Sequence, residues 1–144
     1  MVVTHRREIS TRGQGDAHDI TELVSAAVAD TPCAAGIATV FVVGSTATVT
    51  TIEFEPGAVA DFNRLLEETA PRDDEYRHHL RWGDDNGSSH VRAALVGPSL
   101  TVPFADRKLL LGTWQQIMLL ELDTRPRKRE IVGLICSAGM SSQR

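Results

Sequence analysis

Aromatic side chains are scarce in this 144-residue chain, with four Phe, two Trp and one Tyr making up 5% of it. A core must therefore come from aliphatic residues, and an apolar content of 42% supplies them. Cysteine is nearly absent. Cys33 and Cys136 lie far apart and lack metal-ligand spacing, which argues against a disulfide scaffold and suits a reducing compartment. Cys136, in an apolar stretch, reads as a small core residue rather than a nucleophile. No segment approaches about 18 consecutive apolar residues, and the opening MVVTHRREIS has no apolar signal region. The expectation is a cytoplasmic protein with no membrane partner. Excess positive charge is also missing. A net charge of −4 argues against nonspecific nucleic-acid binding. The one basic cluster, Arg125 to Arg129, runs straight into Glu130 and reads first as a solvated turn. No GxSxG, Walker loop, CxxC or HExxH occurs.

The length suits one domain, taken as residues 1–144. Val2–Ile9 alternates as a strand. Asp16 is read as the N-cap of a helix that places Ile20, Leu23, Val24, Ala27 and Val28 on one face. Gly36–Val43 and Thr46–Phe54 read as strands by their β-branched content, and as antiparallel neighbours across a tight Gly44-Ser45 connection. Pro56-Gly57 opens a second helix with Val59, Phe62, Leu65 and Leu66 on its apolar side. A polar loop from Arg72 to Gly87 and a short helical turn, Ser88–Val96, follow. Strands Ser99–Phe104, Trp114–Leu122 and Glu130–Ser137 complete the chain, with Lys108–Leu111 able to pair; the small polar tail Ala138–Arg144 reads as frayed. The pattern is α+β, mostly antiparallel, with two main helices. Trp114–Leu122 is apolar on both faces, which suggests a subunit interface.

The chemistry concentrates between Glu75 and Gln115, where His78, His79, His90, Asp84, Asp85 and both tryptophans fall. With Glu53, imidazoles and carboxylates of this kind can bind a borderline metal or act as an acid–base pair near neutral pH. The competing reading is a set of solvated loop residues, with Glu53 an edge carboxylate. Trp114 and Gln115 can stack on and hydrogen-bond a planar ligand, or serve simply as core or interface. Asp84-Asp-Asn-Gly87 is first a turn former.

Two stretches, GDDNGSSHVRAALVGPSLTVP (Gly83–Pro103) and GTWQQI (Gly112–Ile117), resemble the YjbQ-like family of proteins described as secondary thiamine-phosphate synthases. The match runs from about Gly36 to Ser137 and includes Tyr76-Arg-His78 and the Arg127-Lys-Arg129 step. It implies an α+β fold with a two-sheet β-sandwich, assembled as a homotrimer with sites near subunit boundaries. It also implies a small-molecule transferase that joins a pyrimidine diphosphate to a thiazole phosphate. In that frame Glu53, His78, His90 and Asp84 are the catalytic candidates. Ser45, Thr46, Trp114, Gln115, Arg127 and Arg129 are the substrate-binding ones. His78, His79 and His90 are the candidate ligands of a divalent metal, zinc or manganese. The chain departs from the family pattern where histidine is expected at Gly44 and Ser88, asparagine at Ile52, and aspartate at His79. Loss of two imidazoles should cost most of a metal's affinity. Two further readings follow: metal-independent chemistry, a cyclisation or isomerisation on a more apolar substrate, and a non-catalytic trimeric binding module.

Overall fold

In the computed structural model, which describes residues 1–137, alternating side chains build two antiparallel sheets. In the larger one, β1 (Val2–Ser10), β8 (Lys128–Cys136), β3 (Gly36–Val43), β5 (Ser99–Ala105) and β6 (Lys108–Leu109) lie side by side in that order. In the smaller, β7 (Gln116–Glu121) runs between β2 (Ala17–Asp19) and β4 (Ala47–Ile52). Four helices accompany them: α1 (Thr21–Ala29), α2 (Pro56–Thr69), α3 (Arg77–Trp82) and α4 (Gly87–Val96). The α+β, two-sheet reading holds, but with four helices rather than two.

The inner face of the larger sheet, with Ala38, Val40, Val42, Ile131 and Ile135, closes on Val24 and Val28 of α1 and on Ile117 and Leu119 of β7. The other face of β7 presents Met118 and Leu120, which pack with Leu122, Leu66 of α2 and Ala93 of α4. A strand apolar on both sides is thus buried on both sides within one chain. This removes the reason for placing an interface on β7: the small sheet is sandwiched between the large sheet and the helices. The apolar surface left open is instead the outer face of the large sheet, where Ile37, Phe41 and Val43 of β3 are each at least 40% exposed.

Local chemistry accounts for the other departures from expectation. Asp16 caps no helix. β2 intervenes, and the helix opens at Thr21, whose N–H donates to Asp19 Oδ1 at 3.0 Å. β3 and β4 are not neighbours either. β3 pairs with β8 and β5, β4 pairs with β7, and the Gly44-Ser45 step carries the chain between sheets. The expected helix after Phe54 forms, with Val59, Phe62 and Leu66 facing the core but Leu65 exposed. Glu55 caps it, its carboxylate accepting from Gly57 N and Ala58 N, and Pro56 sits where a missing N–H costs nothing. The polar loop contains α3, and Trp114 lies outside β7. Cys136 is half-buried rather than core, and both cysteines are free. The tail expected from Ala138 onward lies outside the described residues. Among these, no helix is long and apolar enough to cross a membrane.

Candidate functional site

α4 is held rigidly. Arg92, 3% exposed, donates through Nε to Ala70 O at 2.9 Å and through Nη2 to Glu67 Oε2, tying α4 to the end of α2. At its start, Gly87 N donates to His79 Nε2 at 3.0 Å. α3 and α4 so anchored bring His78 and His90 together, ring centroids 4.4 Å apart and planes inclined by 53°. His78 Nε2 stands 3.4 Å from Asp84 Oδ1. The buried Asn86 amide, with its nitrogen turned to the acceptors, donates to Asp84 Oδ1 at 3.0 Å and to His78 Nε2 at 3.2 Å. Neutral His78 is thus an acceptor from Asn86, and protonated His78 has Asp84 as its counter-charge. Burial, reinforced by the neighbouring His78, holds the His90 imidazole below the ordinary histidine value.

Behind this pair lies a buried polar network. Glu121, fully buried, accepts from Arg129 Nε and Nη2, from Thr11 Oγ1, and from the backbone N–H groups of Leu122 and Asp123. Arg129 also donates to Thr46 O and Oγ1, and the Thr46 hydroxyl donates in turn to Asp123 Oδ2 at 2.9 Å. Arg127 Nε meets the same carboxylate at 2.9 Å. Burial alone would push the Asp123 carboxyl up, but Arg127, Thr46 and the Thr124 N–H together hold it below its ordinary value. Arg129 and Thr46, expected to contact substrate, are engaged inside the fold, whereas Arg127 pairs with Asp123 and keeps its side chain partly exposed. Only Nη1 of Arg129 faces elsewhere, toward Gly44.

A cavity of about 330 Å³ opens beside the pair, lined by Gly44, Ser45, Ala47, His90 and Pro98 among others. The structure therefore joins His78, His90, Asp84 and Ser45, and adds Asn86. Asn86 was legible in the sequence only as part of a turn; its amide would have stood out had the following helix start been placed at Gly87.

Glu53, Trp114 and Gln115 are not part of this group. β4 and β7 pair Ala47 with Glu121 at one end and Ile52 with Gln116 at the other. Five steps of about 3.3 Å put these ends roughly 17 Å apart. Ser45, Thr46, Arg127 and Arg129 cluster at the first end. Exposed Glu53, Gln115 and Trp114 (72% exposed) stand at the second, with Gln115 Nε2 donating to Thr51 Oγ1.

Within this one chain His78, His79 and His90 do not converge as a set of three ligands. His79 spends Nε2 on Gly87 N, and among the described residues no three His, Cys, Asp or Glu side chains converge as an ion requires. Gly44 is itself committed to another role. Its φ of +138° is one that L side chains rarely adopt, and an added Cβ would lie 2.6 Å from Arg129 Nη1. Gly44→His is therefore expected to lose about 1–3 kcal/mol of stability in urea unfolding and to gain no micromolar zinc affinity by calorimetry. Tight zinc binding by that variant would show that the site accepts an imidazole there.

Two antiparallel sheets backed by helices, with an imidazole pair clamped by a loop of Asp and Asn, define a small α+β protein. A family model described as "UPF0047 protein YjbQ-like" matches residues 5–137. The chain belongs to the YjbQ-like family. A UPF0047 protein of Methanothermobacter thermautotrophicus is 38% identical over 130 residues, covering 90% of this chain and 89% of that one. One from Mycobacterium tuberculosis is 41% identical over 97 residues, covering 67% of this chain and 71% of its own. Among solved structures, a YbjQ-like protein of unknown function from Sulfolobus solfataricus superposes with a TM-score of 0.83 at 30% identity, covering 94% of this chain and 98% of that one. A conserved hypothetical protein from Thermus thermophilus superposes with a TM-score of 0.76 at 32% identity, covering 89% and 97%.

Proposed function

We propose that the chain is a small-molecule enzyme working by proton transfer at the His78–His90 pair, with an activity of the thiamine-phosphate-synthase type. The observation that carries this reading is the pair itself: two imidazoles 4.4 Å apart, one at the wall of a cavity and the other set between Asp84 and the Asn86 amide. His90, kept neutral by burial, is the base that faces substrate. His78, with Asp84 beside it as a counter-charge and the Asn86 amide fixing its ring, is the neighbouring imidazole that sets the field in which His90 works.

A homotrimer is part of the same reading. The two half-sites at opposite ends of β4 meet only if the Glu53–Trp114–Gln115 end of one subunit abuts the His78–His90 end of another. The exposed Ile37, Phe41 and Val43 offer an apolar surface for that assembly. The test is formation of thiamine phosphate from the pyrimidine diphosphate and thiazole phosphate. His90→Ala should lower the rate about 10²–10⁴-fold with an unchanged unfolding midpoint. An unaltered rate removes the pair from the chemistry.

A further inference from the structure

A second cleft, of about 440 Å³, lies on the other side of the Asp84–Asn86 loop, where Thr124 forms part of its wall and donates its hydroxyl to Asp85 Oδ1 at 3.0 Å. Its floor is the loop Arg12-Gly-Gln-Gly-Asp16, which leaves β1, and its far wall carries Arg72. Gly13 and Gly15 both take positive φ, a conformation that L side chains rarely adopt, so glycine shapes this loop. The donors here exceed the acceptors. Among the described residues, neither the Gly13 nor the Gln14 N–H meets an acceptor, and Gln14 Nε2 is a buried donor with none. The Arg72 guanidinium has no carboxylate within ion-pair distance among the described residues, while its backbone N–H is held by Glu67.

The acids facing the cleft are already committed. Asp16 binds Arg12 N, the Arg12 guanidinium and His18 Nε2, and Asp85 takes the Thr124 hydroxyl. Arg12 keeps the rest of its guanidinium in solvent, since its side chain is 90% exposed. Two guanidinium groups line one polar hollow, whose floor carries two backbone N–H groups without an acceptor among the described residues. That is the chemistry of an oxyanion site, and the planar fork of each arginine suits a phosphoryl group. The geometry points to a phosphate-binding site in this cleft, formed by the Arg12–Asp16 loop with Arg72 and Thr124 and separate from the imidazole pair.

The test is a calorimetric titration of the full chain with inorganic pyrophosphate. Saturable binding is expected at one site per chain. Arg72→Gln, which removes a side chain the fold does not use, should weaken it at least tenfold, and Arg12→Gln/Arg72→Gln should abolish it. Thr124→Ala, at the cleft wall and away from the imidazole pair, should also weaken it, which separates this site from the proposed catalytic one. An affinity indifferent to Arg72→Gln, or no saturable heat at millimolar pyrophosphate, would each overturn the assignment.

Discussion

Replacing Arg129 by alanine is expected to cost the fold about 3–5 kcal/mol, the scale for removing one partner of a buried ion pair. Glu121 is fully buried and the Arg129 side chain is only 7% exposed. Without the guanidinium, Glu121 retains the Thr11 hydroxyl and two backbone N–H groups, but no opposite charge. Thr46 loses a donor to both its oxygens at the point where β4 begins. Urea unfolding of the variant measures the loss directly. Were Arg129 instead an exposed substrate-binding group, as the family resemblance implied, stability would change by no more than about 0.5 kcal/mol. The two roles thus differ severalfold in the quantity measured.

Leu119→Ala and Leu120→Ala are each expected to lose about 2–5 kcal/mol, the range for large-to-small changes at fully buried positions. The two side chains point to opposite faces of β7, one into the core between the sheets and the other against α2 and α4. Both losses should be independent of protein concentration, because both faces are covered by the chain's own residues. A penalty at either position that shrank with rising concentration would mean that a second subunit completes that face. The same dilution series on a variant of the outer sheet, such as Phe41→Glu, reports on assembly there instead.

The strands and α2 were legible because alternation and capping are local signals: GIATVFVV reads as a strand without knowing its neighbours, and Pro56 announces a helix. Pairing was not legible. Gly44-Ser45 looks like a hairpin turn, yet nothing local says that the chain changes sheets there. Asp16 looked like an N-cap because Asp19, three residues on, performs that kind of service from a position that a short strand had hidden. For the site, His78, His90 and Asp84 were visible as residue types in one block. Their separation from Glu53 and Trp114 was not, since it depends on the β4–β7 register. The arginines were misleading for a related reason. Their acceptors, Glu121 and Asp123, lie in an apolar strand end that carried no sign of a buried ion pair.

The reading of the site turns on whether His78 and His90 share one electrostatic environment. An NMR titration following the imidazole nitrogens of both residues, in the wild type and in His78→Gln, measures this without any substrate. His90 should titrate below the ordinary value of about 6.5, because burial and a charged neighbour both oppose its protonation. Removing His78 should move it upward, while burial keeps it under the ordinary value. A His90 that titrates at the ordinary value and ignores His78→Gln would contradict the coupled pair and the proton-transfer site built on it.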